Sequence, residues 1–274
     1  MSHAPFARRL LTIAASERYG PYIVHRAADP DGPAPAPGQF TMLSAAERWG
    51  GGDDGRPFLA RAFSVARHLD GEAHYLLEDV GPGTRRLCEL EPGEQMWALG
   101  PLGRGFDAPH EGRRAVLAGG GIGIAPLVIL ADTLTRAGTP ASAVILGFRD
   151  SERARAGRLI DGAHLATDDG SAGHQGPCTE LLAAELERDP HAVVYACGPA
   201  PMLEAVRSLC AEAQVPAQLA LEAGMACGFG ACFGCVVPRH GGGYLRVCVD
   251  GPVVAASELE RVVEPGQAER VAAV

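Results

Sequence analysis

No run of 18 apolar residues occurs anywhere in the chain, so the sequence contains no candidate for a membrane-spanning helix. The most apolar segment, residues 122–131, is short and is interrupted by Gly123 and Pro126. Near the N-terminus, two arginines precede the apolar residues 10–15, but this run is too short for the core of a signal peptide and no convincing cleavage site follows it. We therefore expect a cytoplasmic protein without a membrane partner.

Basic residues are scarce as well. The chain has 24 lysines and arginines against 33 aspartates and glutamates, which gives a formal net charge of −9. It lacks the basic stripe with which proteins displace counterions from nucleic acids, so no nucleic-acid partner is expected. The 274 residues, of which 47% are hydrophobic and 21% charged, suffice for one large globular domain or two to three small ones.

Two common catalytic motifs are missing, the H-E-x-x-H zinc motif and the G-x-S-x-G elbow of serine hydrolases, and no individual catalytic side chain is identified. The chain does contain eight cysteines. In a reducing compartment these are expected to be thiols or metal ligands rather than a disulfide framework.

The chain divides into three stretches of different sequence pattern. From residue 11 to about residue 106, short strands are separated by turns rich in proline and glycine, which predicts an antiparallel barrel or sandwich. The clearest strands there are Phe40–Leu43, Arg61–Arg67, His74–Val80 and Gln95–Leu99. From about residue 113 to residue 213, strands alternate with helices, which predicts a parallel sheet. The remaining residues are rich in cysteine.

Two details of the alternating stretch concern single residues. Thr179 is predicted as the N-cap of a helix over Thr179–Glu187. In the helix predicted from Pro201 to Ala213, Cys210 shares one face with three aliphatic residues, which predicts a core position for this cysteine rather than a ligand role.

Four cysteines in the last stretch have the spacing of a plant-type ferredoxin. Cys227, Cys232 and Cys235 follow the pattern C-x4-C-x2-C, and Cys248 comes after twelve further residues. Glycines and an alanine between the ligands let the loop wrap closely around an inorganic core with its N–H groups aimed at the sulfurs. The pattern predicts a [2Fe–2S] cluster, with a strand over Tyr244–Val249 that returns Cys248 to the loop.

Two further interpretations of this segment are a zinc site and free core thiols. Zinc ribbons usually pair two short knuckles, whereas three of these cysteines lie in one loop and the fourth stands alone. Phe229 and Phe233 lie between the ligands and are expected to shield the cluster from water.

Motifs for nucleotide binding occur in the first two stretches. Arg61 and Ser64, separated by two residues in a strand, can hold the pyrophosphate and ring edge of a flavin nucleotide. The turn Gly81–Thr84 precedes a helix and offers free amides to a phosphate. In the second stretch, Gly119–Pro126 and Cys197–Met202 are strand-to-helix turns of small residues that let a dinucleotide approach the backbone, although neither is a G-x-G-x-x-G fingerprint. The segment 167–171 ends a strand at the same sheet edge.

Cys197 and Glu222 each have two interpretations. Cys197 lies either beside a nicotinamide ring or half-buried as a small thiol. Glu222 is either an acid on the flavin side or a solvated carboxylate ahead of the cysteine loop, and the second interpretation is favoured.

In chain order, these motifs resemble those of the ferredoxin–NADP reductase superfamily. The motifs are Arg-x-x-Ser, Gly-x-Gly-Thr, Leu-Gly-Pro-Leu-Gly, Gly-Gly-Gly-x-Gly-x-Ala-Pro-Leu, Thr-Asp-Asp-Gly-Ser and Cys-Gly-Pro-x-Pro-Met. With the run Glu222-x-x-Met225-Ala226-Cys227-Gly228 and its cysteines, the chain resembles the electron-transfer subunits of NAD-dependent dihydroorotate dehydrogenase from about Gln39 to Pro252.

The resemblance implies a multidomain β and α/β fold. Its parts are an antiparallel FAD-binding β-barrel (residues 1–107), a parallel-sheet NAD-binding α/β domain (residues 108–215) and a small C-terminal [2Fe–2S] domain (residues 216–274). The implied cofactors are FAD and the [2Fe–2S] cluster, with NAD(H) as substrate. The candidate cofactor-binding residues are Arg61, Ala62, Phe63, Ser64, Leu76, Leu77, Glu78, Gly83, Thr84, Gly120, Gly121, Gly123, Asp169, Cys197, Gly198 and Pro199, and the metal ligands are Cys227, Cys232, Cys235 and Cys248.

Two residues depart from or complicate the family pattern. Ala62 replaces the proline that usually follows the flavin arginine, which loosens the strand but keeps both polar contacts. Arg149, after the second strand of the α/β stretch, favours the extra phosphate of NADP, whereas its neighbour Asp150 favours NAD. The NAD preference is therefore an implication of the resemblance alone.

By the same resemblance, electrons from a partner enter at the cluster, pass to FAD and leave as hydride to NAD⁺, as a step of pyrimidine biosynthesis. The implied partner is an FMN-containing dihydroorotate dehydrogenase catalytic subunit in a heterotetramer, and no dihydroorotate site is recognisable in this chain. Two alternatives stay open. One is a related reductase that serves a hydrogenase, a sulfur reductase or a transhydrogenase, and the other is a non-catalytic carrier or zinc-stabilised binding module.

Overall fold

The structure, a computed structural model, describes residues 8–51, 56–109 and 112–262. The strands are β1 (Arg8–Tyr19), β2 (Tyr22–Ala28), β3 (Phe40–Ala45), β4 (Arg61–Leu69), β5 (Glu72–Glu78), β6 (Gln95–Leu102), β7 (Arg114–Gly120), β8 (Ala143–Phe148), β9 (His164–Thr167), β10 (His174–Gln175), β11 (Ala192–Cys197), β12 (Ala217–Ala220), β13 (Val236–Pro238), β14 (Tyr244–Arg246) and β15 (Val253–Ala255). The α-helices are α1 (Pro82–Cys88), α2 (Ala125–Arg136), α3 (Ser151–Ala154), α4 (Cys178–Arg188) and α5 (Ala200–Glu212). No α-helix of the described residues has the length and apolarity needed to cross a bilayer.

The first six strands close into an antiparallel barrel in the order β1-β2-β5-β4-β3-β6, which confirms the predicted barrel. Their alternating side chains fill the interior with a core that includes Leu11, Leu43, Leu77 and Met96, all essentially inaccessible. The helix α1 lies between β5 and β6 and contributes the fully buried Leu87 to this core. The first two strands were not among the individual strands predicted from the sequence. In β1, a bulge between Ile13 and Ala15 interrupts the alternation on which such a prediction depends.

Seven strands form the second sheet, in the order β10-β9-β8-β7-β11-β12-β15, and the predicted parallel sheet is confirmed for its central strands. The edge strand β15 is antiparallel to β12, with Gln218 opposite Ala255. The cysteine-rich segment therefore leaves this sheet after β12 and returns to it as β15. The three domain boundaries drawn from the sequence stay a prediction.

Three local predictions have clear outcomes. Cys210 is buried in the core, as expected from its helical face. Thr179 is not an N-cap, because α4 already begins at Cys178, after the extended residue Pro177. The strand expected over Tyr244–Val249 ends at Arg246, whose N–H donates to the Asp250 carboxylate at 2.8 Å and so closes a turn.

An ion pair joins the barrel to the α/β layer. Arg67 of β4 donates from Nε to the carboxylate of Asp132 in α2 at 2.7 Å, and from Nη2 to the carbonyl of Leu159 at 2.8 Å. The carboxylate and the guanidinium are both largely buried. The contact therefore fixes the orientation of the two layers relative to each other.

His25 of β2 connects the barrel wall to the end of α1. The residue is completely buried, with Nε2 2.9 Å from the Leu87 carbonyl and Nδ1 2.7 Å from the Ser16 hydroxyl. A neutral imidazole with its proton on Nε2 satisfies both contacts, since it donates to Leu87 and accepts from Ser16. Burial lowers the pKa of His25, and it outweighs the opposing hydrogen bond to the Leu87 carbonyl.

We expect His25 to make the fold less stable in mild acid. Its pKa is lower in the folded state than in the unfolded chain, so the unfolded state alone gains the proton as pH falls below about 6.5, and stability declines from there down to the folded-state pKa. His25→Gln should lower the free energy of unfolding at pH 7.5 by about 1–3 kcal/mol, because two buried hydrogen bonds are altered. It should also reduce the decrease in the free energy of unfolding between pH 7.5 and pH 5.5.

Urea unfolding at the two pH values measures both effects. His164→Gln, at an exposed position of β9, is the control and should keep the pH dependence of the parent chain. An unchanged pH dependence in His25→Gln would show that this imidazole does not titrate on unfolding.

Candidate functional site

Two neighbouring cavities lie between the barrel and the second sheet. The first, the barrel cavity, has a volume of about 600 Å³. Seven of the residues expected to contact a flavin line it, namely Arg61, Ala62, Phe63, Ser64, Leu76, Glu78 and Thr84. Leu77, expected to join them, points into the barrel core instead, because successive residues of β5 face opposite sides of the sheet.

The Arg61 guanidinium is held by three neighbours. It donates from Nη1 to the carbonyl of Leu59 and lies over the Trp49 ring, with Cζ 5.9 Å from the ring centroid. Gly83 packs against it so closely that a Cβ there would lie 2.7 Å from Nε. The sequence suggested Gly83 as a cofactor contact, and in the structure its lack of a side chain leaves room for the arginine.

Thr84 orders the turn that leads into α1. Its hydroxyl accepts a hydrogen bond from the Val80 N–H at 2.9 Å and donates to the Gly81 carbonyl at 3.0 Å. The hydroxyl therefore uses both its acceptor and its donor in hydrogen bonds to the backbone. These bonds fix the turn beside Arg61. This places the positive guanidinium and the start of α1 on one wall of the barrel cavity.

The second cavity, the sheet cavity, has a volume of about 700 Å³ and follows the carboxyl ends of β7, β8, β9 and β11. Such an edge is where open α/β sheets bind ligands. Four of the predicted nucleotide-binding residues line it, namely Gly120, Gly121, Gly198 and Pro199. Gly123 and Cys197 line the barrel cavity instead. At the end of β9 the cavity wall contains Asp168 rather than the predicted Asp169.

The two small-residue turns contact each other directly. A Cβ at Gly123 would lie 2.6 Å from the Cα of Gly198, and one at Gly120 would lie 2.5 Å from the sulfur of Met202. Small residues were expected here so that a dinucleotide could approach the backbone. The structure shows a second reason, since only glycines allow the two turns to close against each other between the cavities.

Cys197 and Glu222 lie near each other where the cavities meet. Cys197 is buried on the wall of the barrel cavity, and burial together with the charge of Glu222 raises its pKa well above the usual value. The thiol is therefore protonated at neutral pH. Glu222 is exposed, as the favoured interpretation held, yet it lines both cavities.

Sequence reasoning missed two polar residues of the sheet cavity. Tyr22 of β2 reaches it from the barrel, and burial raises its pKa to about 12. Arg153 of α3 lies on the same wall, where it pairs with Asp150 at 2.6 Å and lies 3.8 Å from Glu78. No local motif marks either residue, because each comes from an element that reaches the cavity only after the layers have packed.

The four cysteines of the ferredoxin-like pattern form two pairs. Cys235 and Cys248 lie with their sulfurs 3.2 Å apart, and the Cys248 N–H donates to the Cys235 sulfur at 3.4 Å. Cys232 lies near Cys227, and its thiol helps to lower the pKa of Cys227. The antiparallel pair β13 and β14 brings the distant Cys248 beside Cys235, since Val236 lies opposite Arg246.

The loop backbone favours a thiolate at Cys227. Burial opposes ionisation, but the N–H groups of Phe229, Cys232 and Ala231 outweigh it and lower the pKa of Cys227 to about 6. In the other pair, burial and the neighbouring Cys235 raise the pKa of Cys248 to about 12. Gly228 and Gly230 turn the loop with φ of 81° and 87°, a conformation that favours glycine. The donor set therefore fits a group that binds thiolates.

The arrangement of these thiols bears on which group they fit. Within the described residues, no three histidine, cysteine or acidic side chains converge tightly enough to hold a single metal ion. The close pair Cys235 and Cys248 suits a centre with two iron atoms, each of which takes two cysteine ligands. A zinc ion would need all four sulfurs around one point.

Phe229 and Phe233 do not cover the loop from within. Their exposed fractions are 50% and 60%, and Phe233 is flanked by the Arg246 guanidinium, 5.6 Å from its ring centroid. Cys232 is exposed beside them. The aromatic side chains that were expected to shield the cluster thus form part of the outer surface of this chain.

The cysteine loop begins at the wall of the barrel cavity. Ala223, Gly224 and Met225 line that cavity, and Cys227 follows two residues later. The loop then packs on the barrel itself, because a Cβ at Gly228 would lie 2.6 Å from Cγ of Met42. The cysteine loop and the barrel cavity are therefore direct neighbours.

Comparison with protein families agrees with this arrangement. Residues 222–260 match the model of the iron-sulfur cluster binding domain of dihydroorotate dehydrogenase B. The electron transfer subunit of dihydroorotate dehydrogenase B (NAD(+)) from Bacillus caldolyticus is 40% identical over 237 residues, which cover 81% of this chain and 86% of the relative. The same subunit from Geobacillus kaustophilus is also 40% identical over 237 residues, with the same coverage.

A solved structure has the same overall fold. It is described as the NADH-dependent reduced ferredoxin-NADP oxidoreductase, an enzyme of flavin-based electron bifurcation. It superposes with a TM-score of 0.76 at 24% sequence identity and covers 96% of each chain. The shared fold therefore includes the barrel, the second sheet and the C-terminal segment.

Proposed function

The chain belongs to the family of electron transfer subunits of NAD-dependent dihydroorotate dehydrogenase B, and on this premise we propose that it passes electrons from a dihydroorotate-oxidising catalytic subunit to NAD⁺. The observation that carries the proposal is the cysteine loop, which leaves the wall of the barrel cavity and packs on the barrel. One-electron and two-electron sites are thereby adjacent. The activity is a step of pyrimidine biosynthesis.

FAD is assigned to the barrel cavity, NAD(H) to the sheet cavity and the [2Fe–2S] cluster to Cys227, Cys232, Cys235 and Cys248. When bound, the cluster would supply one-electron transfer, and the flavin would exchange electrons singly with it and in pairs with the nicotinamide. Within the chain, Arg61 supplies positive charge for the flavin pyrophosphate and the Gly120–Gly123 turn lies between the two nucleotide sites. Glu222 lines both cavities at their common wall.

The partner is the catalytic subunit of the dehydrogenase, and we assign to it an FMN group and a heterotetrameric complex with this chain. Four large apolar residues of the cysteine-rich segment, here the cluster-side patch, support a docking surface on this segment: Phe229, Phe233, Tyr244 and Val249 are between 41% and 60% exposed. Exposed apolar groups of this size beside an exposed ligand cysteine fit a surface that a protein partner covers. We place the complex in the cytoplasm, where a reducing environment keeps the ligand thiols available.

Co-purification and visible spectroscopy test the function. When the chain is purified from its native host, an FMN-containing partner should co-purify with it. The purified sample should show flavin absorption bands with a broad iron–sulfur shoulder. Addition of dihydroorotate should bleach the flavin bands, and NAD⁺ should restore them. A hydrogenase, sulfur reductase or transhydrogenase partner would contradict the assignment of the partner. A colourless protein with stoichiometric zinc would contradict the assignment of the flavin and the cluster.

Substitution within the cluster-side patch should weaken the complex. Tyr244→Asp introduces a charge into a surface that we expect to be desolvated on docking, so the dissociation constant of the partner should rise by about tenfold or more. Tyr244 lies on β14, outside the cysteine loop, so the iron–sulfur absorption should be retained. Analytical size exclusion and direct titration measure the complex.

Leu69→Asp is the matched control for that substitution. Leu69 is 41% exposed at the end of β4 on the barrel, and its replacement should leave partner binding unchanged. Equal affinity of the Tyr244→Asp and Leu69→Asp variants for the partner would place the docking surface elsewhere.

A further inference from the structure

We propose that the hydroxyl of Tyr22, a residue of the barrel, donates a hydrogen bond to the pyrophosphate of the dinucleotide in the sheet cavity. The inference rests on the proposed function, since it concerns the nucleotide assigned to that cavity. It deepens that function by giving the barrel a direct part in binding NAD(H). The nucleotide is then held by both layers of the chain.

The hydroxyl of Tyr22 is an unpartnered polar group on a buried side chain. Tyr22 is only 1% exposed and belongs to the core between the barrel and the second sheet. Within residues 8–51, 56–109 and 112–262, no hydrogen bond of this hydroxyl is found, although the residue lines the sheet cavity. Buried tyrosine hydroxyls usually have a hydrogen-bond partner. A ligand in the cavity is in a position to supply the missing acceptor.

The hydroxyl faces the turn that follows β7. This turn is a short 3-10 segment, Gly121–Ile124, which leads directly into α2. Gly121 has a φ of 54°, and a Cβ there would lie 3.7 Å from Oη of Tyr22. Strand-to-helix turns of this kind present free N–H groups to the phosphates of a dinucleotide. A pyrophosphate at the turn would therefore lie within reach of the hydroxyl.

The hairpin between β1 and β2 fixes Tyr22 against the α/β layer. Gly20, which joins the two strands, has a φ of 63°, and a Cβ on it would overlap the carbonyl oxygen of Glu152 in α3. Tyr19 lies opposite Tyr22 in the strand register and packs against the same core. Packing alone therefore holds the hydroxyl in place. A donor that is already positioned loses little conformational freedom when a ligand binds.

The groups that act on the hydroxyl keep it a neutral donor. Burial, and next the charge of Glu78 on the facing strand, raise the pKa of Tyr22 to about 12, so it is protonated at neutral pH. Arg153 pairs with Asp150 at 2.6 Å and lies 3.8 Å from Glu78, so these charges partly offset one another. Arg149 is an exposed cation on the same cavity wall. A phosphate group is thus offered a neutral hydroxyl and a cation together.

The test uses Tyr22→Phe, which removes the hydroxyl and keeps the buried ring. The FAD-loaded chain reduces a dye with NADH, and ADP serves as a competing probe that has the two phosphates but no nicotinamide. The KM for NADH and the inhibition constant of ADP should both rise by about 10- to 100-fold, because a hydrogen bond to a charged group is lost. The kcat should stay within about twofold of the parent value, since the contact is to a part of the nucleotide that does not react.

Tyr19→Phe is the matched control. It removes a hydroxyl from the same hairpin, but this hydroxyl lies near Glu17 and outside the sheet cavity, so both constants should be unchanged. FAD affinity should be unchanged in both variants, because neither tyrosine lines the barrel cavity.

Three results would overturn the inference. The first is a Tyr22→Phe variant with the parent constants, and the second is an equal effect of Tyr19→Phe. The third is a change confined to NADH, as a higher KM with unchanged ADP inhibition or as a lower kcat, which would place the contact at the nicotinamide half. If the parent chain neither oxidises NADH nor binds ADP, the proposed function itself fails, and that result is distinct from unchanged constants in Tyr22→Phe.

Discussion

Replacing Cys232 with serine is expected to remove the iron–sulfur absorption and to lower electron transfer from the catalytic subunit by at least about 100-fold. Cys232 is the exposed member of its pair, and its sulfur accepts only a weak contact from the Gly234 N–H at 3.5 Å. Its loss should therefore affect the cluster and leave the barrel and sheet folded. Reduction of a dye by NADH, which depends on the two cavities, should stay within about threefold of the parent rate.

The comparison of two activities makes this substitution informative. Visible and paramagnetic resonance spectra report the cluster, dihydroorotate-dependent NAD⁺ reduction reports the whole path, and NADH-dependent dye reduction reports only part of it. Cys88→Ser is the matched control, because Cys88 is a half-buried thiol at the end of α1, outside the cysteine loop. Equal loss of both activities in Cys232→Ser would mean that the cluster stabilises the fold or that the electron path is different.

Replacing Arg61 with glutamine is expected to weaken FAD binding by about 10- to 100-fold. A charge-assisted hydrogen bond to a phosphate contributes about 1.5–3 kcal/mol, and each 1.4 kcal/mol corresponds to a factor of ten. The structure supports a large effect, since the guanidinium is held in place by the Leu59 carbonyl, the Trp49 ring and the bare backbone of Gly83. Arg61→Lys should recover little of the loss, because a lysine cannot reproduce the planar fork.

Fluorescence titration of the FAD-free chain measures this affinity. Arg85→Gln, on the exposed side of α1, removes an equal charge whose partner is Asp79, and FAD affinity should be retained. If Arg61→Gln binds FAD as tightly as Arg85→Gln, the pyrophosphate must be held by the turn before α1 instead. Cluster absorption should be normal in both variants.

Several features followed from short segments of sequence. The cysteine spacing, the polar pair Arg61 and Ser64, and the small-residue turns after β7 and β11 were recognisable because a few neighbouring residues carry each signal. Family comparison bears out the resemblance and the iron–sulfur segment. The individual cofactor-binding residues stay predictions, although most of them line one of the two cavities.

Other features could not be obtained in this way. Asp168 and Asp169 are adjacent acids in the same turn, and only the hydrogen bonds of Ser171 distinguish the engaged carboxylate from the exposed one. Tyr22 and Arg153 come from distant elements and meet at one cavity. Phe229 and Phe233 were expected to cover the cluster, but the left-handed backbone of Phe233, with φ of 56°, lies in a loop that leaves both rings exposed.

By itself, the sequence determined that four cysteines form a ferredoxin-like set and that an antiparallel barrel or sandwich precedes a parallel sheet, because spacing and strand periodicity are local properties of the chain. Only the tertiary structure decided that the cysteine segment is anchored at both ends by the sheet, through β12 and β15, and that it packs on the barrel at Met42. It also decided which acid faces the sheet cavity. These relations depend on contacts between residues far apart in the chain, which form only when the layers pack.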